Sequence, residues 1–176
     1  MASKFVAAFL FAITIFASGD TRAQTPQIPA PTFADVLAHY QRFNTWSATF
    51  KQQYFQAAYQ QNKPAAGTMR YQWPGTIEVV TNGQAASTTS CAAPNVLMFL
   101  CGSQKAAQFT FSQLRAQALG SPSGIIFVAT PIQPTPVMTK VLLYVDAATL
   151  TVQREMVMDA TGNRNNFAFE NVVTTP

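Results

Sequence analysis

The residues able to do chemistry are few. One histidine, His39, and two cysteines, Cys91 and Cys101, stand beside seven acidic and eleven basic residues in a chain of 176. A zinc site built from histidine and cysteine needs a fuller ligand set than these spacings offer. A serine nucleophile would have to take its base from His39, and no Gly-x-Ser-x-Gly elbow accompanies it. His39 itself reads as a solvated surface residue. No catalytic residue, metal or cofactor is therefore expected. The formal charge of +4 comes from scattered side chains. No window clusters the lysine and arginine that nucleic-acid binding requires. With 48% hydrophobic and 10% charged residues, the chain is also far from a disordered composition. Composition favours a binding protein over an enzyme.

The elements that would position a binding site follow from periodicity. Lys4, an apolar run over 5–17 and a polar stretch ending in Thr21 and Ala23 describe a cleavable secretory signal over 1–23. The run is shorter than the roughly 20 apolar residues a membrane span needs. An extracytoplasmic, oxidising destination is expected. Pro26, Pro29 and Pro31 make 24–32 an extended lead-in, leaving 33–176 as one domain. Phe33, Val36, Leu37, Tyr40 and Phe43 fall on one stripe at helical period, predicting a helix over 33–43 with Thr32 or Asp35 at its cap.

From Thr45 the period becomes two. Trp46, Ala48, Phe50, Gln52 and Tyr54 alternate with polar residues, predicting a strand. The polar run 57–64 is expected to carry the reversal, and 67–73 the second strand, with Met69, Tyr71 and Trp73 on one face. A third strand over 76–81 leads into the hairpin signal Asn82-Gly83, with 85–90 as a weak return. Pro94 and Gly102 bracket an expected apolar helix over 93–100, which must lie against an apolar surface. Strands are expected over 108–112, 125–130, 140–146, 152–159 and 165–172. In the last three, Leu143 and Val145, then Val152, Met156 and Met158, then Phe167 and Phe169 supply apolar faces at even spacing. Fourteen Phe and six Met exceed what two short helices can cover, which suggests a curved sheet with a concave apolar pocket.

The two cysteines leave alternatives open. An oxidising compartment and an even count favour a bond. A helix from Pro94 to near Cys101 would rise about 10 Å, and Cys91 would have to double back almost fully extended to meet its partner. Either the helix is shorter or the thiols are unpaired. The reading leans to a disulfide stapling a shortened helix.

These residues resemble the LolA family of periplasmic lipoprotein carriers. The resemblance rests on 142–154, with Asp146-Ala147-Ala148-Thr149 as the family's Asp-containing turn, and on 159–172, its closing hairpin. Ala48-Thr49-Phe50-Lys51-Gln52 is similar to its first strand, and Gly67-Thr68-Met69-Arg70-Tyr71 with Trp73-Pro74-Gly75 to its second. The segment from Pro94 to Gly102 and Phe109-Thr110-Phe111 are similar to its middle. The resemblance implies an α+β, mainly antiparallel fold: an unclosed half-barrel with short helices over an apolar concave face. It also implies a carrier or chaperone that binds the acyl chains of lipoproteins on their way to the outer membrane. An inner-membrane release complex and an outer-membrane receptor are its implied partners, and a monomer is expected. The acyl cavity falls to Phe50, Met69, Tyr71, Trp73, Leu97, Leu100, Leu143, Met156, Phe167 and Phe169. The alternative is a half-barrel that senses lipid or binds proteins without transport. Three departures stand out: Trp73 occupies the position of a usual basic latch, the hairpin before the helix is short, and the sequence stops at Pro176.

Overall fold

The computed structural model describes residues 30–92, 97–115 and 124–176. The expected signal sequence, most of the lead-in and the start of the helix at 93 lie outside them. Among the described residues, no helix is long and apolar enough to cross a membrane.

Helix α1 (Phe33–Tyr40) opens on a capping box. The Thr32 hydroxyl accepts the Asp35 N–H, and the Asp35 carboxylate accepts the Thr32 N–H at 2.7 Å. The helix ends three residues before the apolar stripe does. The cause is tertiary: the Asn44 N–H already donates to the Thr175 carbonyl, so the chain must leave the helix to join the sheet. Strand β1 (Thr45–Gln56) turns through a single 3-10 turn, Ala57–Tyr59, into β2 (Gln61–Gln72). The second strand therefore starts six residues earlier than the sequence suggests. Pro64 is tolerated because β3 (Thr76–Thr81) pairs with β2 no further than Gly67. Pro64 thus lies along an edge, where its missing N–H breaks no ladder.

Strand β4 (Ser87–Ser90) completes one wing. A 3-10 turn, Met98–Leu100, and helix α2 (Gly102–Ala106) then replace the single apolar helix expected there. Gly102, expected to end a helix, instead begins one. Strands β5 (Phe109–Arg115), β6 (Ile125–Pro131), β7 (Lys140–Val145), β8 (Val152–Met158) and β9 (Arg164–Thr175) form the other wing. The order is β4-β3-β2-β1-β9-β8-β7-β6-β5, with every pairing antiparallel. The last strand returns beside the first, and β4 and β5 remain as free edges. The sheet does not close.

One face carries the core. Trp46, Ala48 and Phe50 of β1, Met69 and Tyr71 of β2, Phe127 of β6, Leu143 of β7, and Phe167 and Phe169 of β9 bury against α1 and the 3-10 turn. Phe33 of α1 stacks on Phe111 of β5, 4.1 Å between centroids, and meets Phe127 edge-on. Strand β8 corrects the sequence reading. Tyr144 pairs with Arg154 but Val145 with Val152, a bulge that inserts one residue. Beyond it the alternation changes phase, as a one-residue slip requires. Val152, Glu155 and Val157 face inward, while Met156 and Met158 are half-buried on the outer face.

Candidate functional site

Eight of the ten residues assigned to the cavity come together in this interior: Phe50, Met69, Tyr71, Leu97, Leu100, Leu143, Phe167 and Phe169 are all buried. Two do not. Met156 is turned outward by the bulge. Trp73 follows the last residue of β2, in the turn through Pro74 and Gly75, where strand alternation no longer aims it, and is 55% exposed.

The interior is filled by the chain itself. Leu97, in the left-handed region at φ 70°, turns the backbone so that Met98, Phe99 and Leu100 enter the sheet's inner face; all four side chains are buried. The Phe99 ring lies 4.7 Å from Tyr40, 5.9 Å from Trp46 and 6.0 Å from Phe169, between centroids. Tyr40 is itself anchored, its hydroxyl accepting the Val152 N–H at 2.8 Å, and burial pushes the phenol up to about 12.

Two ties hold the turn. Cys91 and Cys101 are joined in a disulfide, with Cα atoms 5.4 Å apart. The short 3-10 turn relieves the geometry that a longer helix would have imposed. The second tie is Glu155, which sequence reasoning placed outside the site. Fully buried, it accepts the Leu97 N–H on both carboxyl oxygens, at 3.0 and 3.1 Å. Burial pushes its carboxyl up to about 8, against the opposing effect of the Leu97 N–H. No groups of His, Cys, Asp or Glu suited to holding a metal occur among the described residues. The arrangement has the chemistry of an apolar container with a polar clasp.

Opening the first tie is expected to loosen this plug. Replacing both cysteines by serine frees a loop with a separation of 10 residues and is expected to cost about 2–3 kcal/mol on the chain-entropy account. Urea unfolding measures it, and an unchanged midpoint would mean the bond constrains nothing the fold does not already hold.

An unclosed nine-stranded antiparallel sheet, with short helices packed on one apolar face, is the architecture the resemblance implies. The fold is an unclosed antiparallel half-barrel. No family model matches the chain. No curated protein matches it either. Among solved structures it is similar to a LolA superfamily protein from Nitrosomonas europaea, at 10% identity and a TM-score of 0.42, over 84% of this chain and 94% of the other. A putative outer membrane lipoprotein-sorting protein domain from Vibrio parahaemolyticus is similar at 9% identity and TM-score 0.39, over 81% and 93%. A chain of the MucA/MucB complex of Pseudomonas aeruginosa is similar at 14% identity and TM-score 0.38, over 82% of this chain. The match spans 57% of that longer chain.

Several hollows open on the surface, two of them beside α2. One, of about 490 Å³, is walled by Lys105, Phe109, Ile132, Thr135 and Met138 among others. The second, of about 550 Å³, runs from Trp73 and Pro74 past the disulfide to Gln104 and Gln108.

Proposed function

We propose that this protein binds acyl chains within the half-barrel and serves as a carrier or chaperone of acylated lipoproteins in the periplasm, reached through the signal sequence in 1–23. One observation carries the reading: the interior is apolar and is occupied by a short plug of the chain's own residues. Burying Leu97, Met98, Phe99 and Leu100 stabilises the closed form by about 1.5–3 kcal/mol per side chain. An acyl chain of about sixteen methylenes gains about 0.8 kcal/mol per methylene when shielded from water, or about 13 kcal/mol. One chain thus roughly matches the plug, and a multi-chain anchor exceeds it. Exchange of plug for ligand needs no catalytic group, so the protein is read as a non-enzyme. Its partners on this reading are acylated proteins, a membrane complex that releases them and an acceptor that takes them.

The test is hand-over. Purified protein incubated with a diacylated protein is expected to form a soluble complex and to release the cargo to acceptor vesicles. Failure to bind any acyl probe while folded would sink the reading. A second reading, lipid sensing or protein interaction without transport, is favoured by Ile132, 60% exposed on the wall of the 490 Å³ hollow, and by Val137, 61% exposed on the same connection between β6 and β7. Acyl binding without hand-over would select it.

A further inference from the structure

Four buried polar atoms lack a hydrogen-bond partner among the described residues, and two of them, on Trp46 and Tyr71, lie on the sheet's inner face. Trp46 and Tyr71 are 1% and 3% exposed, and neither the indole Nε1 nor the phenolic oxygen finds a hydrogen bond among the described residues. The two residues are directly opposed across β1 and β2 and share the inner face. Folded proteins pair nearly all such atoms, because an orphaned buried donor forfeits its bond to water. Tyr40, the other phenol buried in this core, does find a partner, the Val152 N–H. Two orphans facing each other on one strand pair therefore call for a shared explanation.

Their chemistry restricts what would satisfy them. An indole N–H can only donate, and a phenol donates readily, so the partner is an acceptor. Its charge is restricted too. The basic residues on these strands, Lys51, Lys63 and Arg70, are exposed. The side chains buried beside the pair are Ala48, Met69 and Ile77, and the nearest rings are Phe99 and Phe169. An anion placed there would be desolvated without a counter-charge. The fitting partner is a neutral carbonyl. Trp46 packs edge-on against Phe99, so displacing the plug uncovers this donor first.

We propose that Trp46 and Tyr71 form a donor pair that receives the carbonyl oxygen of an acyl ester when the ligand replaces the Met98–Leu100 turn. This rests on the acyl-binding reading and adds to it a polar contact that distinguishes an acyl linkage from plain hydrocarbon. The probes are monopalmitoylglycerol and the hexadecyl ether of glycerol, which share a chain length and headgroup but differ by the carbonyl. The folded protein is expected to bind the ester about tenfold more tightly, the equivalent of about one net hydrogen bond. Trp46→Phe and Tyr71→Phe should each narrow that preference, and the double variant should abolish it, binding ester and ether alike. Tyr71→Phe removes an unpaired hydroxyl from the apo protein, so its Tm should not fall. Equal affinity for ester and ether in the parent protein would overturn the donor pair alone. Persistence of the preference in the double variant would do the same. Failure of both probes to bind would overturn the acyl reading and this inference with it.

Discussion

Between about pH 5 and pH 8, the protein is expected to lose stability by up to about 1.4 kcal/mol for each unit of rising pH. Glu155 is the source. Its carboxyl ordinarily titrates at 4.5 and is pushed up to about 8 by burial in the fold. Across that window the folded protein therefore holds a proton that the unfolded chain has released. A group with a raised folded pKa stabilises fully below its unfolded value, and that contribution fades as pH rises through the folded one. Integrated over the window the loss is on the order of 3–4 kcal/mol, a large share of a domain's net stability. Above it, a carboxylate without a counter-ion remains on the Leu97 N–H, which favours release of the plug.

Among the described residues, the neighbours of Glu155 offer no compensating charge. Its strand neighbours are Leu143 of β7 and Phe167 of β9. The 3-10 turn buries Met98, Phe99 and Leu100, and α1 buries Phe33, Val36, Leu37 and Tyr40, none of them charged. Lys105 of α2, the other buried charged residue among those described, lines the surface hollow with Phe109 and Met138. His39 acts with the opposite sign. Burial and the nearby Arg42 hold its pKa below 6.5, so its contribution rises with pH, but it is partly exposed and the effect is screened. The low pKa values of Asp35, Asp146 and Asp159 act below the window. Urea unfolding at a series of pH values measures the slope. Glu155→Gln keeps an acceptor for Leu97 and removes the titration, so its profile should be nearly flat. An equal slope in that variant would assign the pH dependence elsewhere.

The contrast between Glu155 and its neighbours explains how much of the molecule the sequence revealed. Within stretches that no bulge interrupts, alternation identified the inner face: Ala48 and Phe50 on β1, Met69 and Tyr71 on β2, Leu143 on β7, Phe167 and Phe169 on β9. Strand β8 misled because its phase changes at a bulge, and a bulge is a property of the pairing with β7 rather than of the residues Val152 to Met158. Even spacing from Val152 then selects Met156 and rejects Glu155. The start of β2 was hidden by Pro64 and a polar composition, both allowed on a strand length that β3 does not cover. The plug was visible as an apolar segment needing an apolar surface. Its conformation was not, because Leu97 takes a left-handed backbone that no leucine prefers and that the Glu155 clasp and the disulfide enforce together.

Truncating the plug is expected to move stability and binding in opposite directions. Phe99 is 1% exposed and touches Tyr40, Trp46 and Phe169, so Phe99→Ala should cost about 3–5 kcal/mol, as large-to-small changes of an aromatic core residue do. For an ordinary core residue the consequences end there. For a plug they do not. On the acyl-binding proposal, a chain entering the half-barrel first displaces Phe99, and the energy needed to do so is subtracted from its affinity. The variant begins with that contact already lost, so a fluorescent acyl probe should bind it at least about tenfold more tightly than the parent protein, at a temperature where both are folded. Saturating probe should in turn restore much of the lost Tm, because a ligand that binds the folded state alone stabilises it by mass action. Leu143→Ala is the control. Leu143 is as deeply buried but belongs to the wall on β7, and its truncation should lower stability and acyl affinity together. If Phe99→Ala and Leu143→Ala weakened binding alike, Phe99 would be part of a fixed core and the half-barrel would not open by this route.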